Sequence, residues 1–234
     1  MEVLIPYDND LKIQINTGSV IEWQIFFHGY YEPEIVHYIK KYLRKEGVFV
    51  DVGANVGVHS LIASKIASKV IALEPVPEHL NRLKKNCVLN NITNISFLQL
   101  AASDKQGEYP FYIPIETTNK GVGSMYKNTK SFTEAEIKEI KVDVRTLDEI
   151  LKGEKAIDFI KIDTEGSDGK IIMGSAKTIE KFRPVVIFEY SDPNFTPPMV
   201  TMEMVKKVLS GYSFIRIGKR KDNCNFLCLP PKKI

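Results

Sequence analysis

The sequence predicts a doubly wound α/β domain: a mostly parallel sheet with an antiparallel edge and helices on both faces. Three observations carry this reading. Apolar runs at 48–52, 70–73, 95–100, 157–162 and 184–189 alternate with stretches of helical periodicity. A turn bearing Gly53 and Gly57 joins the first run to the helix after it. The last two runs, Phe214–Ile217 and Asn225–Leu229, have no helix between them and form a hairpin across the Gly218–Asn223 loop.

Residues 1–31 alternate polar and apolar and hold the aromatic set Trp23, Phe26, Phe27, Tyr30 and Tyr31. They are expected to form short strands or irregular structure, with the aromatics in core and lid packing. A helix runs from Pro33 to about Arg44, because Pro suits the first helical position and Ile35, Val36, Ile39, Tyr42 and Leu43 share a face. Gly47 stops it. Strands at Val48–Val52 and Val70–Leu73 bracket a helix over roughly 56–67. A further helix starts near Pro77 and ends at Asn90-Asn91, and a strand follows over Ile95–Leu100. Residues 107–115 read as a short antiparallel excursion. The polar stretch 116–138 contains Gly121-Val122-Gly123-Ser124 and a short helix at Thr133–Lys138, and its length favours a functional loop. Strands return at Glu139–Val144, Ile157–Ile162 and Pro184–Glu189. Helices are expected over Lys170–Lys181 and Met199–Leu209. Residues 1–46 are read as an extension packed on the core and covering the acceptor site, and 47–234 as the main domain.

At 234 residues, 44% hydrophobic and 26% charged, the chain has the composition of a globular protein. A net charge of +3 is too mild to argue for nucleic acid, and the basic clusters read as solvated faces. The cysteines Cys87, Cys224 and Cys228 show no metal-binding spacing and no secretion signal is evident, so reduced thiols and a cytoplasmic location are expected. No window reaches the roughly eighteen apolar residues of a membrane span. Apolar and aromatic material near the N-terminus could line a homodimer contact.

Asp51, Glu74, Asp104, Asp163 and Glu189 fall at or just after strand carboxyl ends, where ligands bind in such sheets. Gly53 and Gly57 let backbone approach a ligand and let the helix pack close to its strand. Asp51 can attract a cationic group, and Glu74, about twenty residues beyond the turn, can accept both hydroxyls of a ribose. A dinucleotide site would want G-x-G-x-x-G, but Asn55 occupies the second Gly position and no phosphate-oriented Lys or Arg lies nearby. An S-adenosylmethionine site has no phosphate, and these residues suit it.

The chain resembles the FkbM-type family of class I S-adenosylmethionine-dependent methyltransferases. The matching stretches are YEPE (31–34), VFVDVGANVG (48–57), IALEPVPEHL (71–80), LAASDKQGE (100–108), IDFIKIDTEG (157–166) and VVIFEY (185–190). The resemblance implies a Rossmann-like seven-stranded sheet with one antiparallel edge strand. It also implies methyl transfer to an oxygen acceptor, often on a sugar or small metabolite. It places Asp51, Gly53, Asn55 and Gly57 around the methionine part, Glu74 on the ribose, Pro75-Val76 against adenine, and Ser103 and Asp104 at the adenine edge. His59, where the family commonly has an aromatic, and Ser167-Asp168 depart from the pattern.

Methyl transfer from a sulfonium is an in-line displacement, and a neutral hydroxyl gains from a base that removes its proton. Asp163 and Glu165 are the candidates; the competing roles are a helix cap for Asp163 and a backbone or Lys partner for Glu165. His28 and His59 could also act, or simply pack. Clustered carboxylates could hold Mg²⁺ beside a diol, but nothing in the spacing requires a metal. A small-molecule or glycan hydroxyl is the expected acceptor. Nucleic acid is not expected, since no N/D-P-P-[Y/F/W] motif appears. A nicotinamide-dependent oxidoreductase and a non-catalytic cofactor-binding module are the alternatives.

Overall fold

The computed structural model describes residues 2–16, 19–115, 123–126, 137–191, 200–218 and 223–231. A hairpin opens the chain: β1 (Glu2–Tyr7) pairs antiparallel with β2 (Leu11–Asn16). Helix α1 (Val20–His28) follows, where strands or irregular structure were expected. It ends on Gly29, whose φ of 77° places its N–H on the Ile25 carbonyl, a left-handed stop that suits glycine. Its Glu22 is buried against Arg82, at 2.6 Å. Trp23, Phe26 and Phe27 stay exposed and stack on one another, so they are not the core packing expected of them.

Helix α2 (Pro33–Tyr42) buries Ile35, Val36 and Ile39. The alternating units then run β3 (Val48–Val52), α3 (Val58–Ser64), β4 (Lys69–Leu73), α4 (Pro77–Leu89) and β5 (Ile95–Leu98). A separate three-stranded sheet follows, made of β6 (Ala101–Ala102), β7 (Gly107–Pro114) and β8 (Ile137–Arg145). The short helix expected at Thr133–Lys138 falls mostly outside the described residues, and its last two, Ile137 and Lys138, belong to β8. The chain continues through α5 (Leu147–Ile150), β9 (Phe159–Ile162), α6 (Asp168–Met173), α7 (Ala176–Phe182), β10 (Val185–Ser191), α8 (Met202–Val208), β11 (Ser213–Ile217) and β12 (Asn223–Leu229). The single helix expected over Lys170–Lys181 is therefore two. Gly174 breaks it where the backbone of Ser103 crosses so closely that a Cβ would lie 2.1 Å from the Ser103 carbonyl oxygen.

The main sheet has seven strands in the order β11-β12-β10-β9-β3-β4-β5. It is mostly parallel; β12 is antiparallel to both of its neighbours and lies one strand in from the edge, with β11 outside it. Because strand side chains alternate, Phe49, Val70, Phe159 and Ile187 enter one core with the hairpin, α1, α2, α3 and α4. Val50, Ile71, Ile160 and Val186 enter a second core with α5, α6, α7 and α8. Residues 2–46 thus share a continuous core with the sheet. Strand order reverses between β3 and β9, so a crevice opens at their carboxyl ends.

Candidate functional site

The crevice holds a pocket lined by the tips of β3, β4 and β9 and the turns that follow them. Its floor is the turn after β3. Gly53 and Ala54 both donate to the Leu73 carbonyl of β4, at 3.0 and 2.9 Å, which ties the turn to the next strand. Gly53 has a φ of 78°, and a Cβ there would lie 2.0 Å from the Asp163 carbonyl oxygen. Only glycine lets the two strand tips meet this closely. Gly57 (φ 95°) opens α3, and a Cβ on it would strike Leu83 at 2.1 Å, so its role is helix packing. Asn55 is left-handed as well, with a φ of 50°.

Glu74, at the tip of β4, is a cavity residue whose carboxylate is oriented from both sides. Asn55 N–H donates to Oε2 and Val76 N–H to Oε1, each at 2.9 Å. His79 Nδ1 stands 3.6 Å away. Pro75, Leu100, Ala101 and Ala102 add apolar wall beside it, and Phe111, Gly123 and Met125 close the cavity from the side of the small sheet.

Asp51 does not reach the cavity. The strand register sets it directly beside Lys161 of β9, on the same face, and its Oδ1 lies 3.1 Å from the ammonium. Ser60 Oγ donates to its other oxygen at 2.6 Å. Its carboxylate serves a buried cation rather than a ligand. Lys161, which does line the cavity, also donates to the Gly53 carbonyl at 3.1 Å and lies 3.6 Å from Asp163 Oδ2. Burial opposes its charge, but Asp51, Asp163 and Glu32 outweigh that and raise its pKa. Sequence reasoning passed over Lys161; the signal was a lone Lys and a lone Asp in two otherwise apolar strands that become neighbours.

Asp163 and Glu165 both line the cavity. Neither competing role is realised among the described residues: α6 has no side-chain cap, and the Glu165 carboxyl makes no hydrogen bond. Asp168 organises this turn instead, accepting from Thr164 Oγ1 at 2.8 Å and from the Glu189 N–H at 3.2 Å. Burial, then Asp163, push Asp168 up to about 6. Burial and the neighbouring Asp163 and Asp168 raise Glu165 to about 8. Burial with the same two acids raises Glu189 to about 10. Glu32, just before α2, is raised to about 8 by burial and Asp163, and Asn225 donates to its Oε1.

His59 is buried, lines the cavity and is lowered to about 3 by burial and Lys161, so its imidazole is neutral. His28 is exposed. Ser103 and Asp104 do not line the cavity: Ser103 is buried, its N–H donating to the Arg145 carbonyl, and Asp104 is exposed. The wall they were expected to form falls to Leu100, Ala101 and Ala102. Gly121 and Val122 lie outside the described residues. Among the described residues no set of three or more His, Cys, Asp or Glu could hold a metal ion, and no helix is long and apolar enough to cross a membrane.

A family model described as the methyltransferase FkbM domain matches residues 51–214. The methyltransferase sdnD of Sordaria araneosa is 27% identical over 179 residues, covering 64% of this chain and 69% of that one. A tRNA/tmRNA (uracil-C(5))-methyltransferase of Campylobacter lari is 27% identical over 106 residues, 44% of this chain and 27% of that one. Among solved structures, the methyltransferase FkbM of Methylobacillus flagellatus superposes with a TM-score of 0.51 at 19% identity, covering 78% of this chain and 43% of that one. The Pyrococcus abyssi tRNA (uracil-54, C5)-methyltransferase, in complex with S-adenosyl-L-homocysteine, gives a TM-score of 0.51 at 14% identity, covering 97% and 44%. This chain therefore spans less than half of either solved protein. An rRNA methylase of Streptococcus thermophilus shares the fold at a TM-score of 0.53. These neighbours overturn the expectation that nucleic acid is excluded: mild net charge and a missing motif do not set such a limit on this fold, which tRNA and rRNA methyltransferases also use.

Proposed function

This chain belongs to the FkbM methyltransferase family, and on that premise we propose that it is an S-adenosylmethionine-dependent O-methyltransferase whose acceptor is a hydroxyl of a sugar or small metabolite. The observation that carries the cofactor reading is Glu74, a cavity carboxylate braced by two backbone N–H groups with lone pairs left over for a diol. Apolar Pro75, Leu100, Ala101 and Ala102 suit an adenine ring beside it. Asn55, where a dinucleotide fingerprint has glycine, argues against a pyrophosphate.

When bound, S-adenosylmethionine supplies an electrophilic methyl group on a sulfonium. Glu74 accepts the ribose hydroxyls, and the Gly53 turn admits the methionine part to the backbone. Asp163 accepts the proton of the acceptor hydroxyl, with the Lys161 ammonium 3.6 Å away as its counter-charge. Closure of the cavity by Tyr31, Phe111 and Met125 excludes water from the transfer. A cytoplasmic location belongs to the same reading, supported by three cysteines that form no disulfide.

Thermal shift with S-adenosylhomocysteine against NAD tests the cofactor: stabilisation by the former alone is expected, and stabilisation by NAD alone overturns the reading. Incubation with methyl-labelled donor and a panel of sugars, small alcohols and RNA tests the acceptor. Label in RNA, or on carbon or nitrogen, overturns the O-methylation of a small hydroxyl compound.

A further inference from the structure

Five carboxyl groups, those of Glu32, Asp163, Glu165, Asp168 and Glu189, act on one another electrostatically, and of these Asp163 and Glu165 line the cavity with Lys161. Asp163 faces Lys161, Asp168 ties down Thr164 and the Glu189 N–H, and Glu32 is held by Asn225. The Glu165 side chain lines the cavity yet makes no hydrogen bond or ion pair among the described residues. Its backbone is strained to put it there: φ is 53° at Glu165 and 103° at Gly166, and Ser124 Oγ pins its carbonyl at 2.9 Å. A left-handed glutamate costs on the order of 1 kcal/mol or more, and such strain gathers at functional sites.

The charge balance shows what is missing. Lys161 is shared between Asp51 and Asp163, and its charge only partly offsets the acids around Glu165. Facing Glu165 are then Asp163, Asp168, Glu189 and Glu32 with no other cation among the described residues, and Tyr31 whose own pKa burial raises. Burial among these acids favours the protonated form of Glu165 until a positive charge enters.

We propose that Glu165 is a specificity-determining residue that selects the charged methyl donor over its neutral thioether product, giving up its proton to solvent as the donor enters. This rests on the S-adenosylmethionine reading. Donor and product share the same adenosine, ammonium and carboxylate and differ by the sulfonium charge, so a carboxylate formed in the cavity favours one over the other. Transfer of the methyl group removes the charge, Glu165 takes a proton back, and the product loses its hold. The burial that raises Glu165 to about 8 puts this exchange within reach near neutral pH.

Calorimetric titration in two buffers of different ionisation enthalpy counts the protons released on binding S-adenosylmethionine, S-adenosylhomocysteine and sinefungin, which carries an amine in place of the sulfonium. About one more proton is expected to leave with the two cationic ligands than with S-adenosylhomocysteine. The ratio of S-adenosylmethionine to S-adenosylhomocysteine affinity should rise roughly a hundredfold between about pH 6 and about pH 9, levelling off above about pH 8. Glu165→Gln should flatten that rise. Equal proton counts for all three ligands in the native protein overturn the proposal, as does a pH-dependent ratio that survives Glu165→Gln. Failure of all three ligands to bind defeats the cofactor reading and this proposal with it; binding with a pH-independent ratio defeats this proposal alone.

Discussion

Replacing Glu74 with alanine separates ribose recognition from scaffolding. An ionised carboxylate offers about four lone-pair positions. The N–H groups of Asn55 and Val76 take two of them, each at 2.9 Å, which leaves two for a ligand. Hydrogen bonds to a charged group contribute about 1.5–3 kcal/mol each. Water refilling the truncated site favours the low end, so two lost bonds amount to about 3 kcal/mol, or roughly a hundredfold in Kd. The assay is calorimetric titration of Glu74→Ala with S-adenosylhomocysteine and with its 2′-deoxy analogue. The native protein should prefer the ribose form and the variant should lose that preference. If Glu74→Ala weakened both ligands equally, the carboxylate would be bracing the turn rather than reading the diol, and the reasoning would fail.

The other predictions concern packing, the base and protons. Gly57→Ala should cost about 1–3 kcal/mol in urea unfolding, because its Cβ meets the movable end of Leu83. Gly53→Ala meets backbone oxygen instead and should lose more stability along with ligand binding; equal losses in the two variants would contradict the geometry. Asp163→Asn should cut single-turnover methyl transfer by about 10²-fold or more while leaving S-adenosylhomocysteine affinity within a few-fold. An unchanged rate would remove Asp163 from the base role. Glu32 and Glu165 are raised from 4.5 to about 8, so the folded protein holds protons that the unfolded chain sheds. Their contribution to stability is therefore lost as pH climbs from about 4.5 to about 8. The melting midpoint of the ligand-free protein should fall less steeply over that window in Glu165→Gln than in the native chain; parallel slopes would count against the raised value.

The parallel strands and their helices were legible because each apolar run ends at an acid or a glycine turn that the fold uses in place. Helix α1 was not, since Trp23, Phe26 and Phe27 leave it apolar on faces that point to solvent, and periodicity reports only a buried face. The break at Gly174 depends on Ser103, some seventy residues earlier, so no local pattern announces it. Within the site, Gly53, Asn55, Glu74, Pro75, Asp163 and Glu165 line one cavity. Asp51 was misjudged for a clear reason: strands buried on both faces carry no alternation, so the chain does not reveal which way a lone acid points. Pairing register does, and it turns Asp51 toward Lys161.

One boundary deserves to be redrawn. The family match starts at Asp51, yet Tyr31 walls the cavity and Glu32 sits in its charge cluster. Ile35, Val36 and Ile39 plug the core beside them. A fragment cut at the start of the match would expose those neighbours and leave the cavity open on one flank. Under the proposed function, exchanging the first forty-odd residues between relatives is expected to change acceptor preference.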